Sequence, residues 1–152
     1  MSEMKRFERR RRLSAITLLL LCTACAPAPA IVEALADPCS VTDGDTIRCG
    51  EERIRLLAID APELPGHCRT GRVCVPGDPD VARFSLETSI KGHPLTIERF
   101  GKDRYGRTLA IVRASGRSTS CSQLAGGNAI YVAKWDNLGA VARECGLQRG
   151  ER

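Results

Sequence analysis

The strongest constraint on the fold is a run of alternating side chains between residues 41 and 59. Branched apolar residues and leucines alternate there with polar residues, a period that is typical of β-strands with one buried face. Two turn signals interrupt the run, DGD at residues 43–45 and GEE at residues 50–52. The pattern therefore predicts three short strands joined by two tight turns.

A loop and a helix follow these strands. Residues 64–77 are rich in proline and glycine and have no apolar periodicity, which predicts a loop. The next segment predicts a helix that Asp78 caps, that has Pro79 in its first turn and that ends at Gly92. Its apolar stripe consists of Ala82, Leu86 and Ile90.

The rest of the chain predicts two strands and two short helices. Residues 94–100 and 108–113 have the strand pattern, and weak helical patterns cover residues 120–125 and 138–145. The single tryptophan, Trp135, is expected to cap the core beside the last helix. Five strands with one helix between the third and the fourth are the element order of the OB-fold. The expected fold is therefore β-rich α+β, a five-stranded OB-fold barrel with about three helices.

The N-terminus has the features of an export signal. A run of arginines precedes a stretch over residues 16–21 that is apolar except for Thr17, as in a signal peptide. A membrane-spanning helix needs about 20 apolar residues, so we expect no stable membrane span after processing. The mature protein is expected to be a monomer in the periplasm or outside the cell. A lipoprotein signal at Cys25 and an uncleaved N-terminal anchor are the alternatives.

Cleavage of the leader changes the charge of the chain. Small residues suit cleavage after Ala30 or after Ala36, and Ala36 is preferred, which makes residues 1–36 the leader and residues 37–152 one domain. The leader holds six of the 23 Lys and Arg residues and three of the 18 Asp and Glu residues, so the remainder has a net charge of only +2. Any nucleic-acid partner must therefore be argued from particular residues.

Six cysteines remain in the mature chain, and an even number in an exported domain predicts disulfides. One pair is equidistant from the predicted turn at Gly44, one pair shares the loop over residues 64–77, and the third pair follows by elimination. A zinc site is less favoured because the mature chain lacks close C-x-x-C pairs. The predicted bridges are Cys39–Cys49, Cys68–Cys74 and Cys121–Cys145.

Two aspartates lie at strand ends, where carboxylates can converge on a metal ion. Asp45 follows Gly44 at a predicted bend, and Asp60 ends a predicted strand. Carboxylate oxygens are hard ligands that suit calcium or magnesium. Asp-Gly-Asp is also common turn chemistry, so each aspartate taken alone is weak support for a metal site.

Three further side chains suit chemistry on a phosphodiester. Glu63 directly follows Pro62, which stiffens the backbone, and its carboxylate suits a general base that activates water. Arg55 and Arg107 lie within or at the start of predicted strands and can form bidentate contacts with phosphate oxygens. The alternatives are ion pairs with Asp103 or Glu63, or simple solvation.

Three short motifs occur together in a characteristic order. They are TDGDTI at residues 42–47, RIRLLAIDAPE at residues 53–63 and DRYGR at residues 103–107. In combination they resemble the thermonuclease family, the staphylococcal-nuclease-like domains, over nearly the whole mature chain. The resemblance implies a calcium-dependent nuclease that hydrolyses phosphodiester bonds in DNA and RNA with little sequence preference and leaves 3′-phosphates.

The resemblance also implies a calcium site. At the matching positions, Asp45, Asp60 and the backbone carbonyl of Ala61 would bind the Ca²⁺ ion. The family pattern has threonine where this chain has Ala61. Because only the carbonyl is a ligand there, the substitution is expected to remove a supporting hydrogen bond and to leave the metal site intact.

The remaining family roles fall on side chains near the expected metal. The resemblance implies Glu63 as the general base, with Arg55 and Arg107 on the phosphate. It makes Tyr105 and Tyr131 candidates for nucleotide contacts, although core packing explains Tyr131 equally well.

Two other classes of function compete with this hypothesis. A non-catalytic OB-fold module of the cell envelope would bind single-stranded nucleic acid without cutting it. Glu63 and Asp45 argue against that alternative, because added negative charge near phosphate does not help a pure binder. An envelope adaptor that binds proteins would explain the leader and the cysteines, but it leaves the three motifs unexplained.

Overall fold

The computed structural model describes residues 31–35, 38–136 and 138–148, so most of the predicted leader lies outside the described residues. The described chain contains nine strands, three helices and one 3₁₀ turn over Ala133–Trp135, and five of the strands precede the first helix. The strands are β1 (Val32–Ala34), β2 (Cys39–Asp43), β3 (Thr46–Cys49), β4 (Glu52–Leu56), β5 (Ile59–Asp60), β6 (Leu95–Lys102), β7 (Thr108–Ala114), β8 (Arg117–Ser118) and β9 (Ile130–Tyr131). The helices are α1 (Pro79–Ile90), α2 (Thr119–Ala125) and α3 (Ala140–Cys145).

Seven strands form one sheet in the order β1-β6-β7-β4-β3-β2, with β8 beside β7. All neighbouring strands are antiparallel except β4 and β7, which are parallel. A separate antiparallel pair joins β5 to β9. The predicted β-rich α+β class and its three helices are confirmed. Among the described residues, however, the paired strands form an open sheet rather than a closed five-stranded barrel.

The three strands predicted from the alternating run are β2, β3 and β4. Their side chains alternate as expected, so that Ile47, Ile54 and Leu56 are buried while Arg48 and Arg53 face outward. The inward side chains form the main hydrophobic core together with residues of β6 and β7. These strands therefore fix the sheet on which the candidate site residues are placed.

Helix α1 covers one face of this core. Its N-cap is Asp78, whose Oδ1 accepts hydrogen bonds from the backbone N–H groups of Asp80 (2.9 Å) and Val81 (3.2 Å), as predicted. The predicted stripe of Ala82, Leu86 and Ile90 is buried. The helix thus packs through the face that its sequence period indicates.

All three predicted disulfides are present: Cys39–Cys49 between β2 and β3, Cys68–Cys74 within the loop, and Cys121–Cys145 between α2 and α3. Three bridges in a domain of this size indicate an oxidising compartment, such as the periplasm or the extracellular space. Within the described part of the chain, no helix has the length and apolarity needed to cross a membrane.

Candidate functional site

The turn between β2 and β3 holds Asp45 at the edge of the core. A side chain at Gly44 would place its Cβ 2.7 Å from the Cβ atoms of both Ala61 and Ala82, so only glycine fits at this position. The buried Gln123 donates through Nε2 to the carbonyls of Gly44 (2.7 Å) and Ala82 (2.9 Å). Packing and hydrogen bonds therefore fix the backbone immediately before Asp45.

Arg55 brings the two predicted metal-binding aspartates together. Its Nη1 donates to Asp45 Oδ1, and its Nη2 donates to Asp60 Oδ1 (3.1 Å) and to the carbonyl of Ile59 (3.3 Å). The backbone N–H of Ala61 donates to Asp45 Oδ2 at 2.9 Å. The predicted residues of two motifs, at 42–47 and 53–63, thus meet at one point.

Burial shapes the electrostatics of this cluster. It raises the pKa of Asp45 from 3.8 to about 7, although the positive charge of Arg55 opposes this rise. Burial also lowers the pKa of Arg55, but the charges of Asp45 and Asp60 outweigh that effect and raise it overall. A carboxylate in such a site needs a cationic partner in order to ionise near neutral pH.

The donor set around the two aspartates is small. Nowhere in residues 31–35, 38–136 and 138–148 do three or more His, Cys, Asp or Glu side chains form a group arranged to hold a metal ion. The predicted calcium site needs only two of these carboxylates, those of Asp45 and Asp60, with the carbonyl of Ala61. All three groups offer hard oxygen atoms, which is the ligand chemistry of calcium and magnesium.

Arg72 is the main site residue that the sequence did not identify. Its Nη2 donates to both carboxylate oxygens of Asp60 (2.8 and 2.6 Å), and its Nη1 donates to Glu63 Oε1 (2.8 Å). These contacts link the predicted general base to the predicted metal ligand. A glycine turn between two loop cysteines, CRTGRVC at residues 68–74, was the available signal, because such a closed loop orients its side chains rigidly.

The turn between β6 and β7 holds Tyr105 and Arg107. Asp103 organises it by accepting hydrogen bonds from the backbone N–H groups of Tyr105 (2.8 Å) and Arg107 (3.0 Å) and from Arg107 Nε (2.7 Å). Burial raises the pKa of Asp103, but these three bonds together lower it below its ordinary value. The ion pair that was the alternative for Arg107 is therefore present, and it fixes the guanidinium beside the Tyr105 ring.

These segments surround an open cleft of about 1130 Å³. Seven cationic side chains and three carboxylates line it, so the cleft is strongly basic although the domain as a whole carries little charge. The cations are Arg53, Arg55, Arg69, Arg72, Arg104, Arg107 and Lys134, and the carboxylates are Asp43, Glu63 and Asp103.

Trp135 lies on the wall of this cleft, and the expectation that it caps the core is wrong. The residue is 37% exposed, and the Cζ atom of Arg55 lies 5.7 Å from the centroid of its ring. The ammonium of Lys134 lies equally close to the same ring, at 5.7 Å. The 3₁₀ turn therefore presents an aromatic ring to the cleft, where a base can stack.

The two candidate nucleotide-binding tyrosines have different surroundings. Tyr105 is 51% exposed and lines the cleft, where Arg69 Nη1 donates to its hydroxyl at 2.7 Å. Tyr131 is buried in a second core cluster with Leu57 and Val141 and donates to Asp136 Oδ2 at 2.9 Å. The structure therefore brings Tyr105 to the site, while Tyr131 has a packing role.

Comparison with known proteins identifies a relative. No protein-family model matches the chain. The chain is similar to the succinoglycan biosynthesis protein ExoI of Rhizobium meliloti (strain 1021), with 32% identity over 134 residues. The aligned region covers 87% of this chain and 68% of that relative. At this identity and coverage, the chain belongs to the same protein family as ExoI.

Proposed function

We propose that the protein is a calcium-dependent nuclease that hydrolyses phosphodiester bonds in DNA and RNA with low sequence specificity. The observation that carries the proposal is the pairing of Arg55 with both Asp45 and Asp60 at the edge of a basic cleft. Predicted metal ligands and a predicted phosphate-binding arginine thereby meet where an extended polyanion can enter. The thermonuclease resemblance of the three motifs supports the same reading.

The proposed calcium ion would be held by Asp45, Asp60 and the carbonyl of Ala61. These residues fit the ion because they bring hard oxygen atoms from two strand ends to one point, where Arg55 contacts both carboxylates. When bound, the ion supplies positive charge that stabilises the anionic phosphate oxygens.

The side chains of the cleft have complementary roles in the proposal. Glu63 accepts a proton from the attacking water and thus serves as the general base. Arg55 and Arg107 donate hydrogen bonds to the phosphate oxygens as negative charge develops there. Tyr105 and Trp135 expose aromatic faces on which nucleotide bases stack without sequence selection.

The test is hydrolysis of single-stranded DNA by the oxidised mature domain, with calcium and with a chelator. Glu63→Gln keeps the size of the side chain and removes the base, so we expect kcat to fall by roughly 10²- to 10⁴-fold. Glu87→Gln is the matched control, because Glu87 is an exposed residue of α1 that does not line the cleft, and it should retain full activity. Hydrolysis that survives both the chelator and Glu63→Gln would refute the proposed mechanism.

Binding without cutting under any divalent metal would instead favour the alternative, a non-catalytic nucleic-acid-binding module of the cell envelope. The basic cleft and its aromatic rings serve that function equally well. The retained Glu63 carboxylate is the feature that favours the enzyme. In either case we propose that the protein is a monomer, secreted or periplasmic, and freed from its leader by cleavage.

The OB-fold part of the fold assignment belongs to the same proposal. The order β2-β3-β4-β7-β6, with a parallel β4–β7 pair and α1 between β5 and β6, is that expected of an OB-like sheet. The end strands β1 and β2 are consecutive in the chain, and the segment from Ala34 to Cys39 reaches at most about 18 Å. This reach bounds the distance between the end of β1 and the start of β2, which lie at opposite edges of the open sheet.

A second candidate function comes from the relative. The name of ExoI describes a part in succinoglycan biosynthesis, and family membership favours a part in polysaccharide biosynthesis for this chain. The two functions are separable by one comparison, in which the purified domain is incubated with DNA, with RNA and with polysaccharide. Turnover of nucleic acid alone would support the nuclease, and turnover of polysaccharide alone would support the second candidate.

A further inference from the structure

The loop between Glu63 and α1 is built to hold one arginine in a fixed direction. The Cys68–Cys74 disulfide closes it, and Arg72 N donates to the carbonyl of Arg69 at 3.0 Å across a tight turn. Gly71 adopts φ of 80° in this turn, a backbone conformation that favours glycine. The side chain of Arg72 therefore leaves a covalently closed turn immediately next to the site.

Arg72 lies between the cleft and Asp60. It lines the cleft together with Arg55 and Glu63, whereas Asp60 and Asp45 do not. Both carboxylate oxygens of Asp60 accept hydrogen bonds from Arg72 Nη2, and one of them also accepts from Arg55. The Asp60 carboxylate thus faces guanidinium donors on the side from which an ion would enter.

A divalent cation and the Arg72 guanidinium require the same oxygen atoms. A carboxylate has a limited number of lone pairs, and two positive groups on one carboxylate repel each other strongly in a partly buried site. The Asp60 side chain is only 8% exposed, so solvent screens this repulsion poorly. Arg55 contacts only Oδ1 of Asp60, whereas Arg72 contacts both oxygen atoms. Binding of the cation to Oδ2 therefore requires Arg72 to leave Asp60, while Arg55 can remain on Oδ1.

We propose that Arg72 is a built-in competitor of the metal ion, held on Asp60 and Glu63 by the disulfide-closed loop. The inference rests on the calcium site of the proposed function and assigns that site a regulator in the same chain. Through these contacts Arg72 neutralises the negative charge of the metal ligand and of the general base together. The loop thereby sets the calcium concentration at which the site is occupied.

The test is calorimetric titration of calcium into the oxidised mature domain without nucleic acid. Arg72→Gln removes the competing charge, and we expect the calcium Kd to fall by roughly tenfold. Arg72→Lys keeps the charge but cannot contact Asp60 and Glu63 through two separate nitrogen atoms, and it should give an intermediate Kd. Arg69→Gln is the matched control. It removes the same charge from the same loop, but the Arg69 side chain contacts Tyr105 instead of Asp60.

A second variant tests the loop. Cys68→Ser with Cys74→Ser frees the loop while keeping Arg72, and we expect it to lower the calcium Kd in the same direction as Arg72→Gln. Far-ultraviolet circular dichroism shows whether each variant remains folded. An unchanged or raised Kd in folded Arg72→Gln, or an equal fall in Arg69→Gln, would overturn the inference.

Failure of this inference can be distinguished from failure of the proposed function. If no variant binds calcium, the inference is wrong whatever the nuclease assay shows. If the calcium Kd falls in the expected order while DNA stays intact, the competition by Arg72 is supported and the proposed nuclease activity is refuted.

Discussion

The position of Asp45 depends on how the residue before it, Gly44, is packed. Gly44 is packed so closely against Ala61 and Ala82 that any side chain must displace them. The dependence is unusual for a turn residue, because the close approach and not a positive φ requires glycine here. The position of a predicted metal ligand is therefore set by packing on its neighbour.

Gly44→Ala should separate the β2–β3 turn from α1 and move Asp45. We expect a loss of about 1–3 kcal/mol in the free energy of unfolding, as for overpacked cores, together with a large loss of DNA hydrolysis. Urea unfolding and a nuclease assay measure the two effects. Gly92→Ala is the control, since it meets no atom within 4 Å and introduces only the strain of φ 75°. Normal hydrolysis by Gly44→Ala would contradict this prediction.

The site residues were predictable to the extent that their positions are set by local sequence. Asp45, Arg55 and Asp60 lie at strand ends or on a strand, where alternation and turn signals indicate the direction of each side chain. Arg72 and Trp135 lie in a loop and in a 3₁₀ turn without periodicity, so no strand or helix pattern indicated that they face the cleft. Their orientation depends on contacts with distant segments.

At the scale of elements, an ion pair joins β4 to β6 and β7. Glu52 accepts hydrogen bonds from Arg99 Nε (2.9 Å) and Nη2 (2.7 Å) and from Thr108 Oγ1 (2.8 Å). Arg99 also pairs with Glu33 of β1. The hydrogen bonds from Arg99 are the main reason that the pKa of Glu52 is lowered from 4.5. This group of side chains therefore couples four strands on the outer face of the sheet.

Glu52→Gln should weaken this coupling in a pH-dependent manner. A lowered pKa in the folded state means that Glu52 stabilises the fold above pH 4.5 and that this contribution is lost as the pH falls through the folded pKa. After discounting for solvent screening, we expect a cost of about 0.5–1 kcal/mol at pH 7. Thermal unfolding of the variant and the wild type across pH 3–7 should converge at the acidic end. Glu51→Gln, whose side chain is fully exposed, is the control.

Four strands were not predicted from the sequence, and each was missed for a physical reason. Strands β5, β8 and β9 have two residues each, which is too short for alternation to be visible. Strand β1 lies inside the segment predicted as leader, where small and apolar residues equally suit a cleavage region. The longer elements were predicted because local period and tertiary burial agree in them.

For the whole molecule, the distribution of charge matters more than its sum. The domain concentrates cationic side chains in one cleft, and acidic residues elsewhere compensate for them. The low net charge of the mature sequence therefore concealed a surface suited to a polyanion. Sequence order alone does not show this separation, because the cleft is assembled from four separate parts of the chain: residue 43, residues 53–72, residues 103–109 and residues 134–135.

Binding of single-stranded DNA should consequently depend steeply on salt. Each phosphate neutralised in the cleft contributes a slope of about −0.7 to the logarithm of the binding constant against the logarithm of salt concentration. Lys134→Ala removes one cationic side chain from the cleft and should make the slope shallower by about 0.7. Lys91→Ala, outside the cleft, should leave it unchanged. Fluorescence anisotropy with labelled DNA in calcium-free buffer measures both, and equal slopes for the wild type and Lys134→Ala would refute the prediction.

The site at which the leader is cleaved decides whether β1 remains in the sheet. Val32–Ala34 pair with β6, and Leu35 N donates to the carbonyl of Leu95 at 3.0 Å. Cleavage after Ala36, the preferred site, removes this strand and exposes the hydrogen-bonding groups of β6, whereas cleavage after Ala30 keeps it. An exposed edge of this kind favours association with other strands. Intact mass measurement of the exported protein distinguishes the two products.

The placement of Trp135 makes the intrinsic fluorescence of the protein sensitive to what binds in the cleft. It is the single tryptophan of the sequence, and its ring faces Arg55 at the point where the proposed metal site meets the cleft. Indole emission responds to nearby charge and to water, so any ligand that moves Arg55 or covers the ring alters the spectrum. Occupancy of the cleft can therefore be followed in the unlabelled protein, without a dye and without turnover.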